Sequence, residues 1–258
     1  MTVRALATVL FYGFAALVLS LSFPLTLLVR LVTFPFDRHR MAASRVLRAL
    51  GEVIVTAFPY WRVTVEGSLP AAPSTFVVVP NHRSAVDALA VARLPREMKW
   101  IGKQEAFRIP WLGWAFRVAG HVPVDRSDRV SGSAALARLR HYLDAGIAVG
   151  LFAEGTRSRD GTLRPFRAGP FKLAIDAGVP IVPVAISGAG DAMPPDGARI
   201  RPADVRVRIL APIPTAGLRV EDVDRLRGET RARIAAALGA GAPTGAPPTP
   251  SGSGRPRG

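Results

Sequence analysis

Apolar positions along the chain come first as one long block and then as short runs. Residues 5 to 29, ALATVLFYGFAALVLSLSFPLTLLV, carry no charge, and a stretch of that length can cross a hydrocarbon core of about 30 Å. Residues 41 to 58 place apolar side chains at helical spacing and predict an amphipathic helix lying near a membrane surface. Beyond them, short apolar runs predict strands over 61–65, 75–80, 98–102, 121–124, 147–153, 181–186 and 204–210. Between the strands, the spacing predicts helices over 84–94, 110–119, 132–145, 169–177 and 221–238. Such alternation is the signature of an α/β domain, with a largely parallel or mixed sheet flanked by helices. The chain therefore divides into a membrane anchor with its interfacial helix (1–58), an α/β domain (59–238) and a Gly/Pro/Ser-rich tail (239–258) expected to be disordered.

The charges beside the apolar block orient it. Arg4 precedes it, whereas Arg30, Arg38, Arg40, Arg45 and Arg48 follow it, so the positive-inside rule favours a cytoplasmic body. The expected location is the inner or plasma membrane, with the body on the cytoplasmic face. Pro24 interrupts the block and leaves two arrangements open, a spanning helix or a broken, re-entrant pair. The chain has no cysteine, which excludes a disulfide framework, a thiol nucleophile and cysteine-ligated metal. Its formal net charge is +15, and all but three of the 34 basic residues are arginine. That charge calls for an anionic partner: nucleic acid, lipid headgroups or a phosphorylated substrate. No basic run carries the aromatic and lysine content of a nucleic-acid track, so nucleic acid is the least fitting of the three.

Candidate chemistry lies where predicted strands end. Asn81-His82-Arg83-Ser84-Ala85-Val86-Asp87 follows the apolar run Phe76-Val77-Val78-Val79-Pro80. Positions i and i+5 of a helix lie about 140° apart and do not face each other, so His82 and Asp87 do not share a helix. The spacing instead puts His82 in a strand-to-helix turn, Ser84 at the N-cap and Asp87 at N3, from where its carboxylate reaches back to the imidazole. A second strand end, Leu151-Phe152-Ala153-Glu154-Gly155-Thr156-Arg157-Ser158, suits an anionic ligand. Gly155 lets backbone amides approach, Thr156 donates a hydroxyl and Arg157 offers a planar fork for phosphate. Arg164, Arg167 and Lys172 lie shortly downstream. The aromatic stretch Phe107, Trp111, Trp114 and Phe116 between Lys103 and Arg126 fits either an interfacial surface or a core. Val179-Pro180-Ile181-Val182-Pro183-Val184 carries two prolines, which disfavour a regular central strand and predict an edge or a backbone wall. The four histidines form no ligand cluster, so no metal site is expected.

Four blocks in this order strongly resemble the glycerolipid acyltransferases that include the 1-acyl-sn-glycerol-3-phosphate acyltransferases. They are Asn81-His82 with Asp87, Lys103 to Gly113 leading to Val124-Asp125-Arg126, Phe152 with Glu154 to Ser158, and Val179 to Val184. The resemblance covers roughly residues 75 to 187. It implies His82 as general base, Asp87 as the residue that orients it, and Glu154, Gly155, Thr156 and Arg157 as ligands of a glycerol phosphate. Arg126 and Lys103 carry over to the same anionic site. Ala153 replaces the family's usual proline, and Ala85 and Val86 stand where bulkier residues are common, which bears on acceptor and acyl chain.

The resemblance implies transfer of an acyl group from acyl-CoA or acyl carrier protein to the sn-2 hydroxyl of 1-acyl-glycerol-3-phosphate, giving phosphatidic acid. No resident cofactor is expected, the thioester donor being a co-substrate. The partners implied are a lysophospholipid, that donor and the bilayer. The absence of Cys and of a Gly-x-Ser-x-Gly elbow agrees with direct transfer, without a covalent enzyme intermediate. Another lyso-lipid or glycolipid acceptor, and hydrolysis of a thioester or ester, remain open at this point.

Overall fold

The computed structural model describes residues 3–155, 162–193 and 199–240. Thr156 and Arg157 lie outside the described residues, as does the predicted tail beyond residue 240. The chain begins with α1 (Val3–Thr33) and α2 (Met41–Thr56). Strands β1 (Trp61–Glu66), β2 (Val77–Pro80), β3 (Lys99–Lys103), β4 (Val122–Val124), β5 (Val149–Gly150), β6 (Ile181–Ser187) and β7 (Ala203–Ile209) then form one sheet in the order β1-β7-β6-β2-β5-β3-β4. Every neighbouring pair is parallel except β6 with β7. Helices α3 (Ala85–Ala90), α4 (Leu112–Val118), α5 (Arg129–Asp144), α6 (Gly169–Ala177), α7 (Ala189–Ala192) and α8 (Val223–Gly239) complete the fold.

Parallel strands buried on both faces read as continuous apolar runs, and β2 is the example. Phe76 and Val78 enter one core with α1, α2 and α3, whereas Val77 and Val79 enter a second core with α5, α6 and α8. The sheet is the middle layer of three. Each predicted strand is present, although β5 is regular only at Val149–Gly150. Leu151 still donates its N–H to the Val78 carbonyl, and then Gly155 N–H bonds Phe152 carbonyl as the chain turns. The expected strand is cut short by the turn that carries Glu154 towards β2.

One expectation is corrected and one open alternative is decided. First, β6 is an interior strand, flanked by β2 and β7, and it contains Pro183. The missing N–H falls on the β7 side, at the end of that ladder. Alternate residues of β6 face β7, with Ala185 opposite Arg208, yet Ile181 bonds Ile213, one residue beyond the regular register. Pro183 stands opposite Leu210 in the last regular pair before that offset; its carbonyl accepts Leu210 N–H, and only the return bond of that pair is lost. Secondly, α1 does not break at Pro24 but runs through it. Hydroxyls of Ser20, Ser22 and Thr26 turn back onto the carbonyls of Ala16, Leu19 and Ser22, which satisfies those polar groups within the helix.

Helix α1 from Ala5 to Thr33 is long and apolar enough to cross a membrane. One face packs on the body through Phe11, whose ring meets Phe58 and Trp61 at 5.1 and 4.8 Å, while Leu6, Leu10, Leu17, Leu21, Leu28 and Leu31 are exposed. Of the aromatic stretch, Phe107 is core, whereas Trp111 and Trp114 are exposed and lie 6.1 and 5.2 Å from Phe23 of α1. Helix α2 lies against α1, α3, α4 and β1 with Ala43, Ser44, Leu47, Ile54 and Val55 buried, so its apolar stripe is spent on the protein's own core.

One buried cation closes this arrangement. Lys99, 0% exposed at the start of β3, donates its ammonium to the Arg40 carbonyl at 3.1 Å and the Ala119 carbonyl at 2.7 Å. It thereby ties the α1–α2 connection to the end of α4. Burial pushes Lys99 down to about 8 from 10.5; Arg40 and Arg45 push the same way, against Glu97 and Asp37. The unfolded chain holds this proton between those values while the folded chain does not, so stability is expected to rise as pH climbs from about 8 to 10.5, by up to roughly 3 kcal/mol. Denaturant unfolding across that range would measure the rise, and Lys99→Met is expected to flatten it.

Candidate active site

The catalytic candidates sit at the carboxyl ends of β2, β5, β3 and β4, the edge where open α/β sheets place their ligands. At the end of β2, Pro80 closes the strand and Asn81, fully buried, begins the turn. The Asn81 side chain donates from Nδ2 to the Ile186 carbonyl at 2.9 Å and accepts Ile186 N–H at 2.7 Å. It continues the β2–β6 ladder with a side chain after the backbone has left the sheet. His82 therefore emerges at a fixed height above the strand end.

The expected strand–turn–helix geometry is present. Ser84 caps α3, with a reciprocal capping box to Asp87. Asp87 is 0% exposed, and its Oδ2 accepts Arg83 N–H at 2.6 Å and Ser84 N–H at 2.7 Å and lies 3.1 Å from His82 Nδ1. An oxygen already accepting two N–H groups is an acceptor for the third as well, so the His82 proton belongs on Nδ1 and the Nε2 lone pair is left for chemistry. The His82 side chain is 14% exposed, enough to be reached from outside. One face of its ring lies on Phe152, with centroids 4.3 Å apart and planes 30° apart, and Phe152 in turn lies 5.7 Å from Trp100. The close stacking of β5 on β3 requires Gly150, where a Cβ would come 2.5 Å from the Trp100 indole.

The second strand end folds back on the first. Glu154 is 5% exposed; its Oε1 accepts His82 N–H at 2.7 Å and its Oε2 accepts Arg164 N–H at 3.0 Å. Burial pushes its carboxyl above the usual range, against the opposing pull of those two amides. Gly155 has φ +70°, a left-handed conformation, and a Cβ there would strike the Arg167 guanidinium. Arg126 donates to the Gly155 carbonyl, and Arg167 donates to the Arg126 carbonyl at 3.2 Å. Burial pushes the Arg126 guanidinium below its ordinary value, with Arg167 adding repulsion. Gly155, Arg126 and Arg167 rim a cavity of about 250 Å³ floored by Ile101, Val124, Leu136, Leu151 and Phe152. Lys103, by contrast, pairs with Glu105 at 2.9 Å with 56% of its side chain exposed. Among the described residues no hydrogen bond or ion pair joins it to the His82 turn.

The structure thus brings His82, Asp87, Glu154, Gly155 and Arg126 together, and leaves Lys103 at the surface. Reading the sequence gave Asn81 and Phe152 a place in the motif blocks but no role, and missed Trp100 as part of the site's frame. Asn81 has a visible signal, a buried-type amide directly after a proline-ended strand; Trp100 becomes visible only through strand order. Among the described residues no group of three or more His, Asp and Glu side chains converges as a metal site.

The Acyltransferase family model matches residues 62–187, from β1 to the end of β6. That match likens this part of the chain to acyltransferases as a class. A 1-acyl-sn-glycerol-3-phosphate acyltransferase of Chlamydomonas reinhardtii is 33% identical over 234 residues, covering 89% of this chain and 69% of that protein. A chloroplastic one from Brassica napus is 37% identical over 181 residues, 69% and 52% of the two chains. The human alpha enzyme is 36% identical over 175 residues, 66% and 61%. The crystal structure of the Thermotoga maritima 1-acyl-sn-glycerophosphate acyltransferase superposes with a TM-score of 0.77 at 25% identity, covering 92% of this chain and 95% of that one. This chain belongs to the 1-acyl-sn-glycerol-3-phosphate acyltransferase family. It spans between about half and two-thirds of the length of those curated relatives.

Removing the Asn81 amide would leave the Ile186 N–H and C=O unpaired in the core. Asn81→Ala is expected to cost roughly 2–4 kcal/mol, measured by chemical denaturation with an unchanged m-value.

Proposed function

We propose that this protein transfers a fatty acyl group from a thioester, acyl-CoA or acyl carrier protein, to the sn-2 hydroxyl of 1-acyl-glycerol-3-phosphate, giving phosphatidic acid for phospholipid synthesis. The observation that carries the reading is the 3.1 Å contact between His82 Nδ1 and the buried Asp87 carboxylate, which leaves Nε2 free at a ligand-binding sheet edge. Nε2 takes the proton of the lipid hydroxyl as that oxygen attacks the thioester carbonyl. The C–S bond breaks, and the leaving thiolate recovers the proton from the imidazolium, so His82 ends as it began. Asp87 holds the ring and stabilises its charged form. The acceptor phosphate is assigned to the Gly155-Thr156-Arg157 segment, with Arg126 beside it and Lys103 at the approach; the relatives named for this substrate support a phosphate-bearing acceptor. The reaction needs no metal.

Both lipids in the reaction belong to a bilayer, and the apolar exposed face of α1 supplies a membrane attachment. The body then works on the cytoplasmic side, where soluble acyl donors are found. His82→Ala is expected to remain folded and to lose acyl transfer by on the order of 10³-fold or more, since base and orienter act as a unit. Turnover near wild type in the purified variant would sink the assignment. Arg157→Ala is expected chiefly to raise KM for an acceptor bearing a phosphomonoester, with little change for one lacking it. Mass spectrometry of products from a panel of lyso-lipids tests the acceptor: transfer to a glycolipid but not to lysophosphatidate would reassign the substrate, and release of free fatty acid alone would make the protein a hydrolase.

A further inference from the structure

The Glu154 carboxylate is turned towards the protein's own backbone. On β2, alternate residues point their amides to opposite neighbours: Val77 N–H bonds the Pro180 carbonyl on the β6 side, whereas the carbonyls of Phe76 and Val78 accept the N–H groups of Val149 and Leu151 on the β5 side. The next two positions facing β5 are residues 80 and 82. Pro80 has no N–H to give, so the backbone ladder to β5 ends there. His82 N–H is the following donor in the same two-residue period, at a height where β5 has already turned away. Glu154 Oε1 accepts it at 2.7 Å. The side chain thus supplies the rung that the strand no longer supplies, as Asn81 does towards β6.

The other oxygen accepts Arg164 N–H at 3.0 Å, ten residues along the chain and downstream of Thr156-Arg157-Ser158. One carboxylate therefore joins the backbone that carries His82 to the backbone that leaves the anion-binding motif. The same short segment also steadies the imidazole from its face through Phe152. A carboxylate would moreover repel a phosphate dianion placed against it, which argues against a direct contact with the acceptor's anionic end.

We propose that Glu154 is a positioning residue for His82 and not a ligand of the acceptor. It holds the His82 backbone at a set height over β2 and ties it to the backbone of Arg164. This rests on the acyl-transfer reading for its kinetic consequences, but the hydrogen bond at its centre can be measured without turnover.

The test has two arms. In protein labelled with ¹⁵N-histidine, the His82 amide is expected to be strongly protected from hydrogen exchange, and Glu154→Leu, which leaves no oxygen to accept either N–H group, is expected to abolish that protection. A rapidly exchanging His82 amide in the wild-type protein overturns the proposal. In steady-state kinetics, Glu154→Gln is expected to lower kcat by about tenfold or more while KM for the lysophosphatidate acceptor stays within about twofold. A tenfold rise in KM with kcat preserved would make Glu154 a substrate ligand and overturn the proposal, as would unchanged kinetics. If either variant does not fold, Glu154→Asp, one methylene too short to reach both amides, carries the same expectations. A wild-type protein with a protected His82 amide that acylates no lyso-lipid overturns the acyl-transfer reading and leaves the brace standing.

Discussion

A single carboxylate oxygen organises the end of β2. Asp87 Oδ2 accepts the N–H groups of Arg83 and Ser84 while it faces His82 Nδ1, so the group that starts helix α3 is also the group that selects the histidine's tautomer. An isolated buried carboxylate would be costly, and these donors offset its desolvation. The helix start and the imidazole cannot be tuned separately. Anything that pulls Asp87 off the first turn of α3 also frees the imidazole. The six-residue helix and the following single turn over Val91–Arg93 bury Val86, Ala90 and Val91 in the core, which anchors that cap.

Around this oxygen the sheet provides alignment. Four parallel strands, β2, β5, β3 and β4, end together, and each delivers a polar turn to the same edge. Parallel pairing makes this arrangement possible, because consecutive strands must return to the same starting edge by way of helices. Where the backbone ladder stops, side chains take over on both sides of His82. The aromatic column from His82 through Phe152 to Trp100 then excludes water beneath the ring.

Much of this was legible in the sequence, for reasons that can be stated. The His82–Asp87 spacing admits few geometries, and Ser84-x-x-Asp87 is a local capping pattern, so the turn followed from residues close in the chain. The strand set was legible from apolar runs. Interior placement of β6 was not, because what Pro183 costs the sheet depends on its partner Leu210, some thirty residues away, at the end of the β6–β7 ladder. Continuity of α1 through Pro24 was hidden similarly, since the neighbours that bury one face of the helix lie in α2, α4 and around Trp61. Strand order, and with it the meeting of Glu154 and His82, is a non-local property that no window of sequence contains.

The grip of Lys99 on the Arg40 carbonyl bears on how the molecule can be dissected. Phe11, Val18 and Ile54 belong to the same apolar cluster as Trp61, Phe76 and Val78, and the Lys99 ammonium donates to the carbonyl of residue 40. A cut made before residue 59 would take α1 and α2 off that face of the sheet and leave Lys99 one carbonyl short. The apolar helix α1 is accordingly a wall of the α/β body and not an appendage to it.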